Sequence, residues 1–395
     1  MKFGTDHSEK RGPHWRQKNA KSGAKRCDGP ISAADEGRFQ RRNRQVVIVV
    51  IAAARMNHLP RRPVQPLDDR AVLGDDVTNR FVFEGVVGRG TYGTVYKVLS
   101  KATRQVRAVK ENNIGKAGDG FTRDAIREIS LLKELDHPNI MSPTSAVISL
   151  SKMYLDFEYA EYDLSAVVRH FHRSGAVPLP LVKFVMRQVL QGIHYLHSKL
   201  IMHRDLKPDN ILIVSSQAPP LVKIADFGMA RVFAEAPAPL YYDGTVCTIW
   251  YRAPELFLGA MDYTPAVDMW SAGCIFAELL AAEAVFKGDE DKEDGLYLNQ
   301  LYAIISRIGL PNSHACSNLR AFSKWDKFWA ACSHMRPAAP LLEWLQSRGC
   351  SVDAHATHLL QRMLDWDPSS RISAREALQL PFFDQGGDAR DGGKM

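Results

Sequence analysis

The sequence predicts an α+β fold in two lobes, and three observations carry that prediction. Residues 81–87, 94–99, 106–110 and 153–159 read as strands, short and rich in β-branched and aromatic residues. From residue 181 onward the apolar residues recur at helical spacing instead. Strands first and helices after is the order of an α+β fold. Composition then separates a tail from this body. Residues 1–70 hold 16 Lys and Arg against 7 Asp and Glu, whereas the rest of the chain holds 35 against 37. The net charge of +7 and the pI near 9.0 therefore belong to the tail, and no basic face of the folded body follows from them.

At 395 residues, 45% of them hydrophobic, the chain is long enough to bury a large core. Cys27, Cys247, Cys274, Cys316, Cys332 and Cys350 form no CxxC pair and no metal-ligand spacing, and read as free thiols of a reducing compartment. Residues 1–45 lack apolar periodicity and read as disordered. Lys10-Arg11 with Arg16-Gln17-Lys18, and Arg41-Arg42-Asn43-Arg44, are solvated charge runs on the plain reading and nuclear-import or nucleic-acid contacts on the sharper one. No aromatic residue is interleaved in the second cluster to stack on bases. The apolar run 46–54 (VVIVVIAAA) falls well short of the roughly twenty residues of a membrane span, so no membrane partner is expected. It lies too far in for a secretory signal, and Asp28, Asp35 and Glu36 argue against a transit peptide. A biological start at Met56 is one explanation of it. Pro60, Pro63 and Pro66 mark a linker, and residues 67–78 a short helix weakened by Gly74.

Gly88-Arg89-Gly90-Thr91-Tyr92-Gly93 follows the first strand. A dinucleotide-binding fold needs a helix straight after the last glycine. Here Thr94, Val95, Tyr96 and Val98 continue as a strand, so the motif is the tip of a hairpin. Glycines there let backbone N–H groups approach phosphates with no Cβ in the way. In the third strand Val106, Ala108 and Lys110 share a face, which sets a small side chain with room for an adenine beside an ammonium for the α- and β-phosphates. Residues 124–135 form a helix whose apolar face carries Glu128 with Leu132 and Leu135. An inward carboxylate needs a cation, and Lys110 is the expected partner; a local pair with Lys133 or Arg127 is the bland alternative. A hinge follows at residues 158–164, where backbone groups around Glu158 and Ala160 would hold an adenine edge, with Phe157 behind it.

The densest chemistry is His203-Arg204-Asp205-Leu206-Lys207-Pro208-Asp209-Asn210. It puts a carboxylate, an ammonium and an amide within six positions, between two apolar runs. Phosphoryl transfer needs such groups together: a carboxylate to accept a hydroxyl proton, a cation for the migrating phosphoryl and an oxygen ligand for a metal. The helix before it, 181–200, presents a stripe from Met186 to Leu200 that reads as core. Strands at 210–214 and 221–225 lead to Asp226-Phe227-Gly228, which supplies the metal-binding carboxylate. Further on come Ala253-Pro254-Glu255, with Arg371 as the expected partner of Glu255, and a buried helix at 266–280. Its charged exceptions are Asp268, expected to pair with the backbone of the octapeptide, and Glu278. Helical elements at 359–364, 365–371 and 374–380 end the domain, and the Gly/Asp-rich stretch 384–395 reads as disordered.

Taken together and in this order, these motifs resemble the eukaryotic protein kinases over residues 81–383. The resemblance implies an N-lobe at 81–157, a hinge at 158–164 and a C-lobe at 165–383, behind a tail and linker at 1–78, with ATP and Mg²⁺ between the lobes. It implies Asp205 as base, Lys207 on the transferring group, Lys110 held by Glu128, and Thr248 positioning substrate and Asp205. Asn210 and Asp226 would hold Mg²⁺. Nucleotide contacts would come from Val87, Gly88, Arg89, Gly90, Gly93, Val95, Ala108, Lys110, Glu158, Ala160, Asp163 and Leu212.

Ala125-Ile126-Arg127-Glu128-Ile129-Ser130 and Trp250-Tyr251-Arg252-Ala253-Pro254-Glu255 resemble the cyclin-dependent kinases. The run 159–164, the basic stretch His170-Phe171-His172-Arg173 and residues 272–280 are most similar to the Mediator-associated, cyclin C-dependent branch, although that branch in animals reads Asp-Met-Gly at 226–228. This implies a nuclear protein (the cytoplasm being the alternative) with a cyclin C-like partner, Mediator subunits and Ser/Thr-Pro substrates such as the RNA polymerase II tail. Most cyclin-dependent kinases carry a phosphorylatable Thr five residues before Thr248, where this chain has Asp243. Opposite Arg127, Arg204 and Arg231, a fixed carboxylate would give part of a phosphate's ordering effect. Thr91 and Tyr92 match inhibitory phosphorylation sites of cell-cycle relatives, or only shape the loop. Three other readings stand beside this one: a scaffold acting by docking alone, nucleic-acid contact by the basic tail, and a different cell-cycle or transcriptional member of the family.

Overall fold

Five antiparallel strands build the upper lobe in the order β1-β2-β3-β5-β4: β1 Phe81–Gly90, β2 Gly93–Ser100, β3 Val106–Asn113, β4 Ser145–Ser149 and β5 Lys152–Glu158. The computed structural model describes residue 59 and residues 61–67, 74–90, 93–113, 130–149, 152–216, 218–233, 249–262, 264–289, 295–312, 317–337, 339–350 and 352–384. The basic tail, the apolar run at 46–54, Arg127, Glu128, Asp243 and Thr248 lie outside these residues.

The alternation in β3 has the consequence expected of a strand. Val109 is buried on the outer face of the sheet, in a small cluster with Val77, Phe81, Val86, Tyr96, Val98 and Tyr154, while Ala108 and Lys110 turn to the cleft. Two register shifts in β1, between Phe83 and Gly85 and between Val86 and Gly88, bend the strand toward its glycine-rich tip. Helix α1, Asp75–Thr78, caps the outer face with Val77; of the expected helix 67–78, Leu67 and Gly74 are also among the described residues and are not helical. Residues 130–134 are helical, and Leu131, Leu132 and Leu135 are buried.

The lower lobe is helical. Helix α2, Leu164–Phe171, is capped by Asp163, whose Oδ1 accepts from Ala166 N at 2.7 Å. Helix α3, Leu179–Ser198, buries the predicted stripe from Met186 to Leu196, but Leu200 lies past its end with a left-handed backbone, φ 59°, and is 44% exposed. Helices α4 (Pro254–Phe257), α5 (Ala266–Ala281), α6 (Leu298–Ile308), α7 (Trp325–Cys332), α8 (Leu341–Ser347), α9 (Ala354–Met363) and α10 (Ala374–Ala377) follow. Their apolar faces join one large core, in which α5 is buried on every side. A short sheet of β6 (Tyr162–Asp163), β8 (Ile211–Val214) and β9 (Leu221–Ile224) lies under the cleft, and β7 (Ile201–Met202) pairs with β10 (Arg231–Val232). None of the described helices is long and apolar enough to cross a membrane.

Two expected elements differ. Asn210 closes a 3₁₀ turn, Pro208–Asn210, and the strand begins only at Ile211. Residues 365–371 form turns and no helix. Asp367 precedes a proline, which disfavours helical backbone, and its carboxylate binds Ser369 N and Oγ at 2.9 and 2.7 Å.

Candidate active site

Asp268 fixes the octapeptide from below. Its side chain is 1% exposed; Oδ2 accepts from His203 N at 2.9 Å, Oδ1 from Arg204 N at 2.8 Å, and His197 Nε2 lies 2.9 Å from Oδ2. Burial alone would push this carboxyl's pKa up. The hydrogen bond and charge of His197, the charge of His203 and the Arg204 N–H outweigh it and hold the pKa below the usual range. Arg204 takes a left-handed backbone, φ 70°, to make its contact. His203 is fully buried: its Nδ1 accepts from Asp205 N at 3.3 Å, which leaves Nε2 to donate to Ala225 O at 3.0 Å. One imidazole thus ties the octapeptide to the strand that delivers Asp226.

On this frame Asp205 faces the cleft. Lys207 Nζ donates to its Oδ2 at 2.9 Å, and Asn210 Nδ2 donates to its Oδ2 at 3.1 Å and its carbonyl at 2.7 Å. Asn210 Oδ1 is the end of the amide turned away from Asp205, as a metal ligand would be.

Lys110 reaches across from β3, its Nζ 3.0 Å from Asp226 Oδ1. Burial raises the Asp226 pKa, but the charge and hydrogen bond of Lys110, with His203 and Lys207 behind, leave it below the ordinary carboxylate value. Asp226 also has a left-handed backbone, φ 64°, while Phe227 is 2% exposed and meets the His203 ring edge-on at 5.1 Å. The expected Lys110–Glu128 pair has its carboxylate outside the described residues.

These groups share a cleft of about 340 Å³ between the sheet and the lower lobe. Of the anticipated nucleotide contacts, Gly88, Arg89, Gly93, Val95, Ala108, Lys110, Glu158, Ala160 and Leu212 line it, as do Asp205, Lys207, Asn210 and Asp226. Val87 and Asp163 are not on its lining; Asp163 is engaged as the cap of α2. Gly93 has φ 147° and its Cα packs on the Glu111 backbone, a place only glycine fits. The cleft also takes in Leu132, Met141, Asp209, Ala225, Phe227 and Arg62. The hydrophobic ones carry no local signal that separates a pocket wall from core, and Arg62 sits in what reads as a linker.

The donor set suits a hard cation. Asp226 and Asn210 offer one carboxylate and one amide oxygen, and no group of three or more His, Cys, Asp or Glu that could hold a metal occurs among the described residues. So few protein ligands fit an ion that completes its shell with phosphate oxygens and water. Elsewhere in the lower lobe, Arg371 binds Glu255 through both Nη atoms at 2.8 and 3.0 Å, both side chains being buried. Arg252 lies over the rings of Phe257 and Tyr297 at 5.3 and 5.2 Å. Arg231 donates to Ala230 O at 2.8 Å.

Residues 81–383 match the protein kinase domain family. The chain is 38% identical over 358 residues to serine/threonine-protein kinase ssn3 of Aspergillus clavatus, covering 82% of this chain and 83% of that protein. It is 40% identical over 337 residues to serine/threonine-protein kinase SSN3 of Coccidioides immitis, covering 78% and 72%. The ssn3 kinase of Aspergillus niger is 37% identical over 359 residues, with 82% and 83% covered.

Proposed function

The chain belongs to the protein kinase family, and from that premise we propose that it transfers the γ-phosphoryl of ATP to serine or threonine next to proline, as a cyclin-dependent kinase of transcription regulation. ATP and a divalent cation serve the reaction, and Mg²⁺ is the cation the oxygen donors suit. What supports this reading most is the meeting of Lys110, Asp205, Asn210 and Asp226 on one cleft.

In the proposed reaction Asp205 orients the substrate hydroxyl and takes its proton. Lys207, already 2.9 Å from Asp205, stabilises charge on the transferring phosphoryl. Lys110 positions the α- and β-phosphates, with Glu128 as its partner in the assembled enzyme. Asp226 and Asn210 would hold the metal, which when bound would supply positive charge against the phosphates. The backbone of Glu158 and Ala160 holds the base. Thr248 positions substrate, and Arg252 with the residues before it favours proline after the acceptor.

The branch markers support a cyclin C-like partner, association with Mediator, a nuclear location and the repeats of the RNA polymerase II tail as substrate. They also support Asp243, with Arg127, Arg204 and Arg231 as its expected partners, as a built-in replacement for phosphorylation of the activation segment. Co-purification identifies the cyclin. The complex produced in bacteria should phosphorylate a Ser-Pro peptide without prior treatment. A complex inert until an activating kinase modifies it would overturn the role of Asp243, and a complex that never labels a peptide would overturn the reading as a whole.

A further inference from the structure

We propose that residues 61–67 form a strap closing the outer wall of the nucleotide cleft, and that Arg62 on it is a nucleotide-positioning residue. The proposal rests on the nucleotide-binding reading above and adds a wall that the kinase domain alone, residues 81–383, does not contain.

The strap is fixed at both walls. At the hinge, Arg62 N donates to Glu161 O at 2.9 Å, and the Glu161 carboxylate accepts from Ser215 N at 2.8 Å, which anchors that end on the lower lobe. At the upper lobe, Gln65 and Val86 exchange two backbone hydrogen bonds of 2.8 Å. Gly85 is what lets them approach: a Cβ there would run into the Gln65 carbonyl and the Val64 side chain. Backbone pairing at two places holds the segment more firmly than its prolines, which only mark a linker, would indicate.

Arg62 is thereby carried into the cleft, where it lines the same space as Gly88, Arg89 and Lys110. Its Nη2 faces Gly88, and its Nε is 3.5 Å from Asp163 Oδ2. The Nε is buried and makes no hydrogen bond to any described residue. A buried charged donor of this kind is unfavourable unless something accepts from it. The base end of the cleft lies at Glu158 and Ala160 and the phosphate end at Lys110 and Asp226. Gly88, which Arg62 Nη2 approaches, lines the cleft that joins them, where the sugar and first phosphate of a nucleotide must pass. A guanidinium there supplies both a donor and a positive charge to a polyanion.

The test is ADP binding by calorimetry to the full chain with its cyclin, alongside steady-state kinetics. Arg62→Ala is expected to weaken ADP about five- to tenfold, the range of one charge-assisted hydrogen bond at a partly exposed site. The KM for ATP should rise with it, while the KM for peptide and the melting temperature stay put; Arg62→Lys should recover part of the loss. Gly85→Ala, which displaces the strap and leaves Arg62 in the chain, should produce the same loss. ADP affinity within about twofold of wild type in Arg62→Ala would overturn the proposal. So would an equal change in the KM for peptide, which would mark a merely structural role. A wild-type complex that binds no ADP would instead sink the nucleotide reading itself.

Discussion

The floor of the lower lobe and the cleft between the lobes fix their charged groups in opposite ways. Below the cleft, Asp268 and Glu255 are 1% exposed, Asp268 bound to His197 and the backbone of His203 and Arg204, Glu255 bound through both oxygens to Arg371. Asp268 thereby holds the backbone that presents Asp205, and Glu255 ties α4 to Arg371. At the cleft itself, Asp226 keeps 35% of its side chain exposed and leans on Lys110 from the other lobe. The outer face of the upper sheet rests on a small cluster of its own, whereas its inner face, through Met153, Leu155 and Phe157, joins the continuous core of the lower lobe. Scaffold carboxylates are dry and bound in two or more directed contacts, whereas Asp226, the proposed metal ligand, stays reachable, because a group that must bind and release a metal and phosphates cannot be locked by its own protein.

That contrast can be broken from the scaffold side first. Arg371→Ala leaves Glu255 as an unpaired buried charge and should lower the unfolding free energy by about 3–5 kcal/mol in urea melts. Glu278 comes next. Burial pushes its carboxyl up to about 7, against a lowering hydrogen bond from Tyr251 Oη at 2.6 Å. A carboxyl whose pKa is raised in the folded state keeps its proton after the unfolded chain has lost it. Stability should therefore fall as pH rises from the unfolded value near 4.3 to about 7, by roughly 3–4 kcal/mol, and level off above. Glu278→Gln should flatten that slope in melts run across the window. In the upper lobe Val77→Ala, a fully buried contact of α1, should cost about 1–2 kcal/mol. Smallest of all, Lys110→Ala should change stability by less than about 1 kcal/mol, since its partner Asp226 is over a third exposed, while ATP affinity drops. A Lys110 variant as destabilised as Arg371→Ala would erase the distinction between floor and cleft.

The scaffold was the more legible half in the sequence. Asp268 and Glu278 stand out as charges in a helix otherwise apolar all round, and the octapeptide packs its chemistry into adjacent positions. The hairpin tip was legible because Thr94 and Val95 follow the glycines where a dinucleotide fold would start a helix. What could not be read is what depends on distant approach. Nothing local distinguishes Arg62 from any other linker arginine until Gln65 is seen paired with Val86. Asp163 matched a nucleotide contact, yet its first engagement is with the helix it caps, because an Asp just before a helix serves that need wherever it stands. In residues 365–371 Asp367, Pro368 and Ser369 favoured local side-chain bonds over the helix their neighbours suggested.

The most direct measurement compares the wild-type cyclin complex with Asp205→Asn, each given radiolabelled ATP and a Ser-Pro peptide. The account predicts label on the wild-type peptide's serine, and in the variant ADP binding within about twofold of wild type with turnover lower by about 10²–10⁴-fold, the range of a lost general base. Near wild-type turnover in Asp205→Asn would contradict it.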